Sequence, residues 1–493
     1  MKVLFAVWEL DPFIKVGGLG EIAASLPRAL SNLGIDIRIV IPFYRAVRLR
    51  RSRKKFIKQF TLKYADKLEK VELFQVTHPV SKLPVYLLKN SHYMDTPIFP
   101  DTFAFFDKVI VDLVAENHLS FIPEIIHCND VHTGLIPLLL KENKISIKTM
   151  LTIHNLAHQG RTSLDILAKI GLEKNKCNVT QWEIESKKVN FLLEGITHAD
   201  IITTVSPTYA KEIMTEEYGA GLEEVLRGKE GRIFGVLNGI DDQRTRSVHL
   251  MKVKHPYLLS STFSKPQSLL GGLNPQQKKV LDLSQKNSWE EGKKLNKLYL
   301  QKKLGLRIDE SIPLLAFIGR FAPKQKGIDI LHKMLRTIDL RGYEFIILGK
   351  GDLEWEERFL WLDTFYPKNV ACTFEFNDLL AHQIYAASDF ILMPSKFEPC
   401  GLVQMIAMCY GTLPIAHRTG GLIDSIKNGH NGFLFDNYSS EALRETVEKA
   451  VSIWRHKKKQ YQEMVENALS TDFSWDKSAK EYLRLYEKLI SGS

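Results

Sequence analysis

Cysteine is scarce in this 493-residue chain, with five residues at 128, 177, 372, 400 and 409. They are odd in number and widely spaced, and no Cys-x-x-Cys pair occurs. A disulfide framework and a standard cysteine zinc site are therefore not expected. No apolar run approaches the ~18 residues needed to span a bilayer. The stretch Met1–Val7 is apolar but short, lacks a small-residue cleavage site and reads as a first strand rather than a signal peptide. A cytoplasmic location with no membrane partner is the expectation. Several catalytic signatures are missing too: Asp-x-Asp, His-Glu-x-x-His, Gly-x-Ser-x-Gly, Gly-x-Gly-x-x-Gly and the Walker loop. Their absence disfavours a metalloprotease, a Ser-His-Asp hydrolase and the usual nucleotide fingerprints.

What is present is a long, ordinary soluble composition, 44% hydrophobic and 25% charged. Single cores stop growing beyond ~250–300 residues, so two domains are expected. The net charge is +10, and much of the excess sits in one run: Arg45, Arg48, Arg50, Arg51, Arg53, Lys54, Lys55 and Lys58. Such a run reads as a solvated loop. No recognition helix or RNA-binding aromatic motif accompanies it, so no nucleic-acid partner is expected.

Apolar strands alternate with amphipathic helices along the chain. Residues 2–7 and 35–41 read as strands flanking a helix over 20–33, which is a βαβ unit and implies a parallel sheet. Strands continue at 125–127, 149–153 and 201–205. The stretch 244–294 is rich in Ser, Lys, Gln and Pro with weak periodicity, and reads as a long connection or insertion. The alternation then restarts, with strands at 313–318, 343–348, 370–374, 390–393 and 415–416 and a helix over 328–338. The expected architecture is α/β, two doubly wound halves with a ligand cleft between them.

The polar residues with chemical potential follow these strands. Lys15-Val-Gly-Gly-Leu-Gly20 lies between the first strand and the first helix, where glycines admit a ligand to the backbone and Lys15 suits phosphate. Gly319-Arg320, with Lys324 and Lys326, forms a second basic loop that can clamp an anion. Pro394-Ser-Lys-Phe-Glu-Pro-Cys-Gly-Leu402 places Glu398, Cys400 and Gly401 in a strand-to-helix turn. On local sequence Glu398 reads either as a helix cap or as a carboxylate beside an anion or hydroxyl site. Arg418-Thr-Gly-Gly-Leu422 offers Thr419 and Gly420 as further backbone donors. His127-Cys-Asn-Asp130-Val-His132 and Thr152-Ile-His154-Asn155 fit no zinc spacing, and suit hydrogen bonding to sugar hydroxyls better.

In combination these segments resemble the bacterial glycogen (starch) synthases, retaining glucosyltransferases of the GT-B fold that use ADP-glucose. The resemblance covers most of residues 1–240 and 295–490. Its anchors are Lys15–Glu21, Thr152–Ala157, Thr204–Ile213, Leu237–Asp241, Ser395–Leu402, Tyr410–Pro414, Arg418–Leu422 and Asp472–Trp475. It implies two Rossmann-like domains, 1–240 and 241–470, and a terminal segment, 471–493, whose helix crosses back to the first. It implies that Arg320 and Lys326 hold the nucleotide diphosphate, assisted by Lys15, Gly17 and Gly18. Glu398 would hold sugar hydroxyls and support the oxocarbenium-like centre, with Cys400, Gly401, Thr419 and Gly420 lining the donor pocket. His154 would lie near the sugar, and Glu9 and Asp130 on the sugar and acceptor side. The implied partners are ADP-glucose and a glycogen acceptor, with no cofactor, no metal and no obligatory covalent nucleophile.

The chain departs from the family pattern mostly on the acceptor side. Asn129 and Val131 replace a usual His and Trp, Leu193 replaces a Lys, Glu21 an Asp and Phe376 a Tyr, and Trp-x-Pro is missing after Asp241. Two other readings stand beside the leading one: a retaining GT-B hexosyltransferase with another donor or acceptor, and a weakly active glucan-binding paralogue.

Overall fold

The computed structural model describes residues 1–49, 52–173, 179, 185–240, 252–257 and 288–492. Arg50, Arg51, Cys177, Asp241 and most of the 244–294 stretch lie outside the described residues. The chain divides into two compact units, Met1–Gly239 with Trp475–Ser493, and Ile240–Ser474.

In the first unit the strands are β1 (Lys2–Ala6), β2 (Asp36–Pro42), β3 (Lys55–Tyr64), β4 (Lys67–Thr77), β5 (Pro84–Lys89), β6 (Ile125–Asn129), β7 (Lys148–Ile153), β8 (Arg161–Ser163), β9 (Lys188–Asn190), β10 (Ile201–Thr204) and β11 (Ile233–Gly235). Nine of them form one sheet in the order β11-β10-β7-β6-β1-β2-β5-β4-β3, while β8 and β9 pair separately. The pairings from β11 to β5 are parallel, and those of β5 with β4 and β4 with β3 are antiparallel. The central strands are buried almost end to end, as a sheet covered on both faces requires. One cover is the helix Gly18–Asn32, which turns Leu19, Ile22, Leu26, Ala29 and Leu30 inward. The terminal helix Trp475–Ser491 packs against that helix and buries Trp475, Tyr482, Tyr486 and Leu489.

The second unit holds β12 (Leu314–Ile318), β13 (Glu344–Leu348), β14 (Val370–Thr373), β15 (Phe390–Met393), β16 (Leu413–His417) and β17 (Phe433–Phe435). All are parallel, in the order β14-β13-β12-β15-β16-β17. The strand order therefore reverses between β12 and β15. In open α/β sheets the crevice outside the carboxyl ends of the strands at such a reversal is where ligands bind. The first sheet has the corresponding reversal between β1 and β6, since β1 leads to β2 on one side while β6 lies on the other.

Two expectations need correction. The basic run is not wholly a loop, because from Lys55 onward it is an edge strand. Its inward residues Phe60, Leu62 and Tyr64 are buried, and Lys55 and Lys63 lie exposed on the edge, a common guard against strand addition. Lys54 lies over the Phe74 and Phe43 rings at 4.4 and 5.1 Å. Second, residues 289–294 belong to the helix Trp289–Leu304, capped by the Ser288 hydroxyl and carrying Glu290 and Glu291 in its first turn. Within the same 244–294 stretch Val253 and Tyr257 are buried, and Tyr257 donates to Tyr410 O at 2.9 Å.

Candidate active site

The loops after β12 and β15 meet in the second unit. Gly327 has φ +64°, and a Cβ there would fall 1.8 Å from the Pro394 carbonyl, so only glycine permits the approach. Lys396 N donates to Gln325 O at 2.8 Å and fixes the two loops in register. This brings Lys326 Nζ to 2.6 Å from Glu398 Oε2, which also accepts from Ser395 Oγ at 3.0 Å. Glu398 is buried. It caps no helix: the helix Val403–Cys409 starts after Leu402 and has no side-chain cap. The Thr419–Gly420 loop lies against the same segment. Gly421 N donates to Glu398 O at 3.0 Å, and a Cβ on Gly421 would strike Cys400 O at 2.3 Å. Thr419, Gly420 and Cys400 are buried, and Gly401 takes φ +75°. Arg320 is exposed and forms no ion pair among the described residues.

In the first unit the loops after β1, β6 and β7 carry the remaining residues. Lys15, Val16, Gly17 and Gly18 are exposed, with Gly17 preceding the helix Gly18–Asn32. The Glu9 carboxylate accepts from Val16 N at 2.7 Å and Gly17 N at 2.8 Å. The family resemblance implies Glu9 on the sugar and acceptor side; in the structure its carboxylate holds the glycine loop through the Val16 and Gly17 N–H groups. Lys15 pairs with Glu21, both side chains about half exposed. Such an exposed pair is worth ~0–1 kcal/mol. Trp8 anchors this corner, stacked between Tyr44 and His132 at 5.6 Å each with Phe103 at its edge.

Asp130 has φ +56° and ψ −169°, a conformation costly for a residue with a side chain. The surroundings enforce it: Asp130 N donates to Thr152 O at 2.9 Å, and its Oδ1 accepts from His154 N at 2.7 Å. Burial raises its pKa to about 6, against the pull of His132 and the backbone donors. His154 Nε2 lies 3.0 Å from Asn129 Oδ1, and its buried Nδ1 has no partner among the described residues. Burial lowers the His154 pKa to about 4, with Glu9 acting in the opposite direction. Among the described residues no three His, Cys, Asp or Glu side chains come together as a metal site.

Two groups therefore form, Lys326, Glu398, Cys400, Gly401, Thr419 and Gly420 in one unit, and Glu9, Lys15, Gly17, Gly18, Asp130 and His154 in the other. Sequence reasoning missed the residues that hold them in place. Ser395 bonds Glu398, and His417 Nδ1 donates to Ser395 O at 2.8 Å. Gln404 Nε2 donates to Gly401 O at 2.9 Å and Ser425 Oγ at 3.0 Å. Only Ser395, three residues before Glu398, had a local signal. Of the departures, Val131 and Leu193 are core residues, while Phe376 is 77% exposed.

Comparison with known proteins identifies the family. The family described as "Starch synthase catalytic domain" matches residues 2–228, and "Glycosyl transferases group 1" matches residues 301–471. The glycogen synthase of Clostridium beijerinckii is 37% identical with 99% of both chains covered, and that of Pseudothermotoga lettingae 35% identical with 99% of both. The catalytic domain of starch synthase IV from Arabidopsis thaliana, solved bound to ADP and acarbose, has a TM-score of 0.84 at 30% identity and 99% coverage of both chains. Identity of this order along the whole length, with the same two-unit α/β architecture, means that the chain belongs to the glycogen (starch) synthase family of GT-B glucosyltransferases.

Proposed function

We propose that this chain transfers glucose from ADP-glucose to the non-reducing end of an α-1,4-glucan such as glycogen, with retention of configuration, in the cytoplasm. The observation that carries the reading is the contact of the half-buried Lys326 with the buried Glu398, 2.6 Å apart at the strand-order reversal of the second unit. A cation and a carboxylate held together there suit a substrate with a diphosphate beside a sugar. Arg320 and Lys326 bind the diphosphate and neutralise the charge that develops as it leaves. Arg320, exposed and without an ion pair among the described residues, is available for bidentate contact. Glu398, fixed by Ser395, accepts from sugar hydroxyls and supports positive charge at C1. Cys400, Gly401, Thr419 and Gly420 shape the donor pocket through backbone and close packing.

Lys15, Gly17 and Gly18 are assigned to the diphosphate, and Asp130 and His154 to the sugar and acceptor. Glu9 serves that side through the loop it holds. In the reaction the C1–oxygen bond to the diphosphate breaks and a bond forms from C1 to the acceptor 4-oxygen on the same face. The 4-hydroxyl proton passes to the departing diphosphate, so no protein nucleophile is required. Catalysis is then positioning plus electrostatic stabilisation.

The test is transfer of radiolabelled glucose to glycogen with ADP-glucose and UDP-glucose in parallel. Incorporation favouring ADP-glucose is expected. Preference for UDP-glucose moves the chain to another donor class, and no incorporation from either by folded protein leaves a glucan-binding role in its place.

A further inference from the structure

Asn129 ends β6, and its side-chain amide is committed at both ends. Nδ2 donates to Ala6 O at 3.0 Å and more weakly to His127 O at 3.4 Å. Carbonyl oxygens only accept, so these two contacts decide which end of the amide is nitrogen. Oδ1 is thereby turned toward His154 Nε2, 3.0 Å away. An amide oxygen cannot donate, so Nε2 must carry the hydrogen. In a neutral imidazole the lone pair then sits on Nδ1, the buried atom with no partner among the described residues. The backbone of both residues is pinned as well. Asn129 N donates to Thr133 Oγ1 at 2.6 Å, and His154 N to Asp130 Oδ1 at 2.7 Å.

We infer that Asn129 is a positioning residue for glucosyl transfer, locking His154 in the Nε2–H tautomer so that Nδ1 is presented as an acceptor for a sugar hydroxyl. The inference rests on the assignment of His154 to the sugar. It also gives meaning to a departure from the family pattern. A histidine at position 129 could donate or accept and would leave the His154 tautomer open, whereas an amide held by Ala6 O and His127 O leaves one choice. Among the described residues, Glu9, Asp130, His127 and His132 are the other ionisable groups about His154.

The tautomer is read directly in the wild-type protein by long-range proton–nitrogen correlation on 15N-histidine-labelled enzyme at pH 7. His154 is expected as Nε2–H with an unprotonated Nδ1, and finding the hydrogen on Nδ1 overturns the inference without any variant. In N129A the tautomers are expected to mix and kcat/KM for ADP-glucose to fall roughly tenfold, the scale of one lost hydrogen bond. Asn129→Asp still offers Nε2 an acceptor, while its other oxygen faces Ala6 O and His127 O and meets them only as a protonated, donating hydroxyl, so the tautomer is kept. Asn129→Asp is therefore expected to keep kcat/KM near the wild-type value, where N129A loses it. Wild-type kcat/KM in N129A, or a loss in N129D as large as that in N129A, reduces Asn129 to a structural residue. Full activity in His154→Ala would instead sink the sugar assignment while leaving the tautomer result standing.

Discussion

Lys326 and Glu398 form an ion pair whose value lies in orientation. Their side chains are 19% and 8% exposed, and pairs this buried seldom add net stability, because desolvation offsets most of the attraction. Retaining such a pair makes sense where both charges have work to do on a ligand. On the proposed role, Lys326→Ala lowers turnover by roughly 10²–10³-fold in the glucose-transfer assay. Wild-type turnover in that variant would move the role to Lys324 or Arg320. Both members of the pair were legible in the sequence, because each stands in a polar loop just after an apolar strand. His417, Gln404 and Asn129 were not, since their roles depend on partners brought close by folding, whereas Ser395 stands three residues from Glu398. Asn129 and His154, for instance, are 25 positions apart, and their contact needs β6 and β7 to lie side by side.

Elements with one strong period were read well. The strands β1, β2, β7, β10, β12, β13 and β15 and the first helix stand within about two residues of their expected limits. The antiparallel β3 and β4, together with β5, were missed because Lys and Arg dominate the approach to β3 and hide its alternation. The terminal helix Trp475–Ser491 was expected only through family resemblance, and the structure shows what fastens it. Tyr486 OH meets His127 Nδ1 at 2.6 Å, while His127 Nε2 meets Thr152 Oγ1 at 2.6 Å. Ser478 Oγ donates to Leu237 O at 2.5 Å. His127 is buried and its pKa is lowered to about 3, so it stays neutral and needs both partners. Tyr486→Phe orphans the buried Nδ1 and is expected to cost about 1–3 kcal/mol. Urea unfolding followed by a probe in the first unit measures it, and an unchanged midpoint would mean the helix is held by apolar packing alone.

At the scale of the molecule, Ile240–Ser474 is continuous in sequence while the first unit is assembled from both ends of the chain. Two units of this size need not unfold in one step. A chain ending at Ser474 is therefore expected to lose resistance to limited proteolysis within residues 1–239 and to keep it within 288–474. Equal resistance throughout, as in the full chain, would show that the last helix is dispensable to the first unit.

The same connectivity sets a timetable for biosynthesis. His127 and Tyr486 are 359 positions apart, so the first unit leaves the ribosome early and waits for its last helix while all of Ile240–Ser474 is translated. At roughly 5–20 residues per second that wait is on the order of ten to fifty seconds. Throughout it, the surface of Gly18–Asn32 that will receive Trp475–Ser491 is uncovered on the nascent chain. Chaperone engagement should concentrate in that interval, and a stop codon only a few turns early would release a chain whose second unit is finished and whose first still exposes that surface.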